Sequence, residues 1–545
     1  MKGWKNNTEE NMRARKSAFL IIALLMVFAL GFIGCQRQSS GGTTASGKVR
    51  LTALYTKHPL TKDFNDMKWL KEIEDESGVE VEWRQISADW GTIKAPMLMS
   101  GDVPDLFFGG SVWDSDFAMY QGLFVNLAPL IESHGPNIRR MFSENPETLV
   151  LAKQPDGAIY ATPKYQRFWP KTNGTMFINQ VWLDNLGLQV PTTWDELYNV
   201  LVAFRDGDPN GNGDRNDEIP MDFIGLDCYS PIMLLGATGI QLTNWGNNVN
   251  GYFAEGGVVK NYWMDTRYRD LVIFINRLFS ARLINPEALT QDYSTFQSIS
   301  RGQGRTAKIG FTWGWETGDR FGNELADQYV SMAPLKISAS SNIDPRWMYD
   351  FYGLNMEGNR VSMTSRTSNK EAAMRFIDAF YNPEKSLQVL FGGITDGNIR
   401  KDSDGSYTIL PPQDPSIDPG TWKWTTAFAD GGPIFLSDSM RVTLGSDMAK
   451  VTVEKSVYEH AFSLLNPRMD VLPVQFLKFS TEDTNTVALN QVNYRNITDA
   501  KWAQWVTSGG VQAEWDQYVR DLVNSGIEEN NRIIQRYYDT YRQGL

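Results

Sequence analysis

Strand-like and helix-like runs alternate down most of the chain, and that alternation restricts it to folds in which helices cover a sheet. Residues 49–55 (VRLTALY) form a β-like run, and residues 64–77 follow with Trp69, Leu70 and Ile73 at helical spacing. Residues 79–86 alternate as a second strand, and Leu106, Phe107 and Phe108 make a short buried one. This pattern predicts βαβ units around a mostly parallel sheet. Further strands are expected at 308–312, 329–333 and 360–364. Ser368 with Glu371 predicts a capping box ahead of a helix through Tyr381. The end of the chain reads as helix-rich, with Trp515, Tyr518, Val519, Leu522 and Val523 on one face. A chain of 545 residues exceeds what one core serves, so two or more lobes are expected. Ligands usually bind in the cleft between such lobes.

The N-terminus reads as an export leader. Met12-Arg13-Ala14-Arg15-Lys16 is a basic segment, and residues 18–33 are an apolar run shorter than the roughly 20 residues a membrane span wants. The run ends Phe32-Ile33-Gly34-Cys35. Small Gly34 before Cys35 resembles the lipobox of bacterial lipoproteins, with Phe32 where Leu is usual, which implies acylation of Cys35. Residues 1–34 are then a lipoprotein signal peptide and 35–47 a flexible Gly/Ser tether. Within the tether, GTTASGK at 42–48 imitates a phosphate loop, but Val49 follows where Ser or Thr is required and no strand precedes it. Past Cys35 the only cysteine is Cys228, so no internal disulfide is expected.

The whole chain has a net charge of −12, and loss of the leader's five basic and two acidic residues moves it to −15. Such a surface argues against nucleic acid, which needs basic patches to displace counterions. No GxSxG or HExxH motif occurs, and the three histidines, at 58, 134 and 460, have no metal-like spacing. Acidic pairs such as Asp102 with Asp105 and Asp114 with Asp116 leave a glycoside hydrolase or lyase as the enzymatic alternative.

Residues 191–220 join a capped helix to a loop crowded with oxygen ligands. Thr193 and Glu196 make a capping box, and Asp195 and Glu196 place acid in the first turn. After the helix, Asp208, Asn210 and Asn212 recur every second residue with Gly211 and Gly213 between them. Short oxygen-bearing side chains at that spacing curl around one point and suit calcium. Counted from Asp208, position 12 is Ile219, so the closing ligands must come from Asp217 and Glu218. Counted from Asp206, position 12 is Asp217. A Gly/Asn/Asp turn that merely breaks the helix is the bland alternative. Seven oxygen-bearing side chains between 208 and 220 exceed what a turn needs, so a structural calcium is expected.

These features together resemble the extracytoplasmic solute-binding lipoproteins of ABC importers, in the carbohydrate branch that includes maltose-type and large oligosaccharide-binding proteins. The likeness is carried by SGDVPD at 100–105, YQGLF at 120–124, DGAIY at 156–160, FINQVWL at 177–183 with LGL at 186–188, and DPNGNG at 208–213 with DEIP at 217–220. It implies an α/β, two-lobed, type II periplasmic-binding-protein-like fold with hinge-crossing strands and a helix-rich C-terminal region. Lobe 1 would hold 48–168 and 333–435, and lobe 2 would hold 169–332 and 436–545. The resemblance also implies a binding protein and not an enzyme, monomeric and membrane-anchored outside the cytoplasm. It would capture an oligosaccharide and pass it to a membrane permease; a peptide is the alternative ligand. In large members the loop at 208 is similar to a calcium site. The spacing here departs by one residue within Asp214, Arg215 and Asn216, which leaves open which of Asp214, Asn216, Asp217 and Glu218 coordinate.

A sugar site wants aromatic platforms for C–H faces and planar polar groups for hydroxyls. Three clusters sit where strands end, the usual place for ligands on open α/β sheets. The first is Trp113 with Asp114, after the glycines of LFFGG. The second is Trp313 with Trp315, of which Trp313 is the one expected to meet ligand. The third is Gln166, Arg167 and Trp169, where Arg167 could grip a hydroxyl pair or a uronate carboxylate. Residues 55–58 could line the same cleft.

Overall fold

The computed structural model describes residues 44, 47–226, 229–243, 250–302, 304–414, 417 and 419–544. The leader, Cys35 and Cys228 lie outside them. β1 (Val49–Thr56) lies between β2 (Val79–Ile86) and β3 (Leu106–Phe108) and is parallel to both. The helix Lys68–Ser77 links β1 to β2 and buries Trp69, Leu70 and Ile73 against this sheet, as its spacing predicts. After β4 (Ala161–Tyr165) the chain leaves the sheet. It builds β5 (Thr175–Asn179), β6 (Ile219–Met221), the hairpin of β7 (Tyr252–Glu255) and β8 (Val258–Asn261), β9 (Ile309–Gly314) and β10 (Tyr329–Met332), and returns as β11 (Met356–Met363).

The first sheet has the order β2-β1-β3-β11-β4, with β11 antiparallel to both neighbours. The second has the order β10-β5-β9-β6. Only the β6–β9 pair in it is parallel. The expected parallel arrangement therefore describes β1 to β3 and not the second sheet. The reason lies in the register: Gly314 pairs with Thr175 and Met332 with Met176, so β9 and β10 both end beside the start of β5.

Two hydrophobic cores define the lobes. The first gathers Leu51, Trp69, Phe108, Phe376, Phe428 and Phe435; the second gathers Phe177, Trp182, Trp263, Phe311, Trp347 and Trp505. Membership changes between Trp169 and Met176, between Met348 and Phe351, and between Val451 and Val457, with Phe476 beyond the last of these still packed in the first core. The last two changeovers fall later than the 332/333 and 435/436 positions expected from the sequence, because apolarity marks a residue as buried without saying in which core. The helices Thr481–Ser508, Val511–Asn524 and Ile527–Gly544 complete the second lobe through Tyr494, Trp515, Tyr518 and Ile534. Val523, expected on the buried face, is 38% exposed.

Local rules account for most helix starts. Thr193 Oγ1 accepts from the Glu196 N–H at 3.2 Å, while the Glu196 carboxylate reaches Thr192 (N, 2.7 Å; Oγ1, 2.8 Å), one residue beyond the N-cap N–H of the standard box. The helix after 368 begins at Lys370, and Asn369 is its cap, accepting from Ala372 N at 3.1 Å. Ser368 does not hold that position.

Candidate interlobe cleft and metal loop

The loop after β3 carries the first predicted cluster. Gly110 has φ 71°, and a Cβ there would come within 2.5 Å of Arg360 Nη2, so glycine lets the guanidinium lie against the loop. Trp113 is 59% exposed, with Lys94 Nζ 3.6 Å from the centre of its ring. Asp114 is occupied by the protein itself. It accepts from Gln154 Nε2 (2.7 Å), Asn359 Nδ2 (2.9 Å) and Lys478 Nζ (2.7 Å).

The second cluster divides, but not by strand alternation: residues two apart share a strand face, and Trp315 lies past the end of β9. Trp313 is fully buried in the second core. Trp315, just past β9, is half-buried and packs against the core of the opposite lobe. Trp313 is thus enclosed, contrary to expectation, and Trp315 is the member of the pair left at the meeting of the lobes. The difference arises because β9, buried along its whole length, ends at Gly314, so Trp313 is held in the strand and Trp315 is released from it. Lys455, on the third crossing, lies 4.5 Å over the Trp315 ring. Its three N–H groups meet Thr175 Oγ1 (2.8 Å), Trp315 O (2.8 Å) and Asn173 O (3.3 Å). Burial drives its pKa down to about 7 against the fields of Glu454, Glu316 and Asp319.

The third cluster is structural in two of its three members. Gln166 is fully buried, giving Nε2–H to Leu354 O (3.2 Å) and accepting from Phe168 N (3.3 Å). Trp169 is buried, and its indole N–H donates to Asp430 Oδ1. Arg167 is half-exposed and bound to Asp438, through Nη2 to the carbonyl (2.6 Å) and Nε to the carboxylate (3.3 Å).

Around these stand residues the sequence reading did not single out. Helix Pro419–Thr426 presents half-buried Trp422 and Trp424 beside the end of β1; Thr61 Oγ1 donates to Trp424 O (2.8 Å), and the His58 ring lies tilted against Trp424 with centres 4.8 Å apart. Lys423 reaches Asp430 Oδ2 (2.8 Å) across the Trp169 ring (4.5 Å). Buried Lys164 lies 2.9 Å from Glu357 Oε2 and donates to Asp430 O (3.0 Å), and Arg360 meets Glu357 Oε2 at 3.0 Å. Burial opposes the charge on Asp430, yet Lys423 and Lys164 outweigh it and hold its pKa at about 2. Asp350, on the second crossing, is the opposite case. Its Oδ1 is buried without a partner, and burial, helped by Glu357, pushes its pKa to about 7. The Trp422-Lys-Trp424 triplet could have been noticed as an aromatic cluster; Lys455 and Lys478 are single charges in helical surroundings and carry no such mark.

The loop after helix Trp194–Asp206 curls as its spacing suggests. Gly211 (φ 72°) and Gly213 (φ 89°) take the left-handed positions. Asp208 accepts from Asn212 N (3.1 Å) and Gly213 N (2.9 Å), and Asp217 accepts from the side-chain amides of Asn210 (3.1 Å) and Asn212 (2.8 Å). Asp214 turns outward to Asn216 N (3.0 Å). Both carboxylate oxygens of Glu218 are buried without a hydrogen-bond partner, and burial, with Asp217 and Asp208 adding to it, raises its pKa to about 7. Among the described residues no three His, Cys, Asp or Glu side chains converge as a ready metal group. The loop brings its oxygens together through asparagines instead.

Two cores, three crossings and an aromatic side chain of one lobe set on the other define a hinged, two-lobed solute-binding fold. The chain belongs to the bacterial extracellular solute-binding protein family, whose sequence profile matches residues 62–386. It is 28% identical over 554 residues to the fructooligosaccharide ABC transporter substrate-binding protein FusA of Streptococcus pneumoniae, covering 97% of this chain and 98% of that one. The solved HMO-binding, ABC-transporter-associated solute-binding protein of Bifidobacterium longum infantis superposes with a TM-score of 0.83 at 32% identity, over 91% of this chain and 99% of that one. FusA itself, solved as an EF-hand mutant in complex with fructo-nystose, superposes with a TM-score of 0.80 at 26% identity, over 91% and 100%.

Proposed function

We propose that the protein is the lipid-anchored substrate-binding component of an ABC importer, capturing an oligosaccharide between its lobes and delivering it to a membrane permease. The observation that carries this reading is the position of Trp315: it belongs to the second lobe yet packs on the first. With Trp422 and Trp424 on the first-lobe rim, aromatic faces are available from both sides of the gap. Full-length likeness to oligosaccharide-binding proteins supports the choice of ligand. Closure would exchange bulk water for stacking and hydrogen bonds from both lobes, and the closed form is the one the permease would receive. The reading requires no catalysis, and a monomer suffices. Acylation of Cys35 would hold the chain on the outer side of a membrane, with residues 36–47 as tether.

The loop at 208 fits calcium. Glu218 is the support: two buried carboxylate oxygens without partners are costly unless a cation neutralises them. Asp208, Asn210, Asn212, Asp217 and Glu218 would hold the ion, which would brace the loop structurally and supply no chemistry. The EF-hand named for the FusA structure is in keeping with this.

Isothermal titration of the mature protein with a panel of oligosaccharides and peptides tests the ligand. Binding of at least one saccharide without turnover is expected; binding of peptides alone, or release of cleaved sugar, would overturn the reading.

A further inference from the structure

We infer that the cleft selects uncharged oligosaccharides and rejects uronates, because the cations at its crossings and floor are already matched by the protein's own carboxylates. This deepens the oligosaccharide reading and rests on it. Six cations with carboxylate partners could in principle receive a sugar carboxylate, namely Lys164, Arg167, Lys171, Arg360, Lys423 and Lys478, while Lys57 at the end of β1 is held by Thr61 O (2.9 Å) and Gln85 Oε1 (3.1 Å) instead. Each is engaged. Lys164 lies 2.9 Å from Glu357, Arg360 3.0 Å from the same oxygen of Glu357, and Lys423 2.8 Å from Asp430. Arg167 lies 3.3 Å from Asp438, Lys171 2.8 Å from Glu459, and Lys478 2.7 Å from Asp114.

A uronate could take one of these cations only by displacing its carboxylate, and the displaced group would be left unpaired in a partly desolvated site. The cost is greatest at the floor, where Lys164 is 2% exposed and answers to both Glu357 and Asp430. The incoming charge would also meet Glu357, Asp430 and the buried, unpartnered Oδ1 of Asp350. Lys455 offers no vacancy, because its three N–H groups already have three oxygen acceptors. Hydroxyl groups face none of these penalties. They can donate to the carboxylates without breaking the ion pairs, and aromatic stacking is indifferent to charge.

The test is calorimetric titration of the full mature protein with kestose and other uncharged tri- to pentasaccharides, and in parallel with galacturonates of the same lengths, at low and high salt. The expected result is binding of an uncharged sugar with little salt dependence, and galacturonate affinity at least a hundredfold weaker. Galacturonate bound as tightly as the uncharged sugars, with affinity falling as salt rises, would overturn the inference while leaving the saccharide reading intact. Binding of neither class would overturn both. Two variants test the cause: Asp430→Asn frees Lys423, and Glu357→Gln frees Lys164 and Arg360. Whichever folds should gain at least tenfold in galacturonate affinity; no gain in a folded variant would remove internal pairing as the basis of selection.

Discussion

Lys478 Nζ stands 2.7 Å from Asp114 Oδ2, tying the segment that leads into the C-terminal helices to the loop after β3 of the first lobe. The helix Thr481–Ser508 that follows also packs against the short helix Asp114–Met119. The pair therefore acts across the gap between lobes. Its carboxylate is 40% exposed, so its worth is about 1 kcal/mol at most. Lys478→Ala is expected to weaken ligand binding roughly fivefold through easier opening, with the melting temperature of the unliganded protein almost unchanged. Titration calorimetry on the variant checks this; an unchanged affinity counts against an interlobe role.

Trp313 and Trp315 should separate stability from binding. Trp313 is fully buried in the second core, so Trp313→Ala is expected to cost about 3–5 kcal/mol of stability. Trp315→Ala should spare most of the stability and weaken sugar binding roughly tenfold or more, each tenfold being about 1.4 kcal/mol. Denaturant unfolding paired with titration distinguishes them. A Trp315→Ala protein that binds normally would place the aromatic platform elsewhere.

Calcium should stabilise the chain through the loop at 208. At a thousandfold excess over its dissociation constant a native-state ligand contributes about 4 kcal/mol. Chelation is therefore expected to lower the melting temperature by several degrees, and Glu218→Gln to abolish most of that difference. Superimposable melting curves with calcium and with chelator would remove the metal from the account.

Lys455 should make stability depend on pH in a defined window. Its folded pKa, about 7, lies below its ordinary value of 10.5, so between these values the unfolded chain holds a proton that the folded one has released. Stability from this group therefore rises as pH increases from about 7 toward 10.5, and the full penalty of burying the charge applies below about 7. The stability of the native protein relative to Lys455→Met should increase between pH 7 and 9.5. A difference that does not move with pH would show that the lysine is not desolvated as described.

Much of the fold was legible because local and periodic rules agree with it. Residues 79–86 alternate and form β2 over the same span, and Thr193 caps its helix as expected. What was not legible depends on which of two cores an apolar residue joins. Trp313 and Trp315 have the same chemistry, and only the end of β9 at Gly314 decides which is enclosed. The charged floor was hidden for a related reason. Lys164, Glu357 and the Lys423–Asp430 pair come from three distant stretches of chain, and Lys164 meets Glu357 only once β4 and β11 adjoin. Asp114 illustrates the cost: an acid after a strand looks like a ligand until Gln154, Asn359 and Lys478 are found to occupy it.

Closure of the two halves on an oligosaccharide is measured by small-angle X-ray scattering of the mature protein, alone and saturated with a saccharide shown by calorimetry to bind. A smaller radius of gyration is expected in the bound state, with loss of that contraction in Trp315→Ala at the same sugar concentration. Saturating sugar that leaves the scattering profile unchanged would rule closure out.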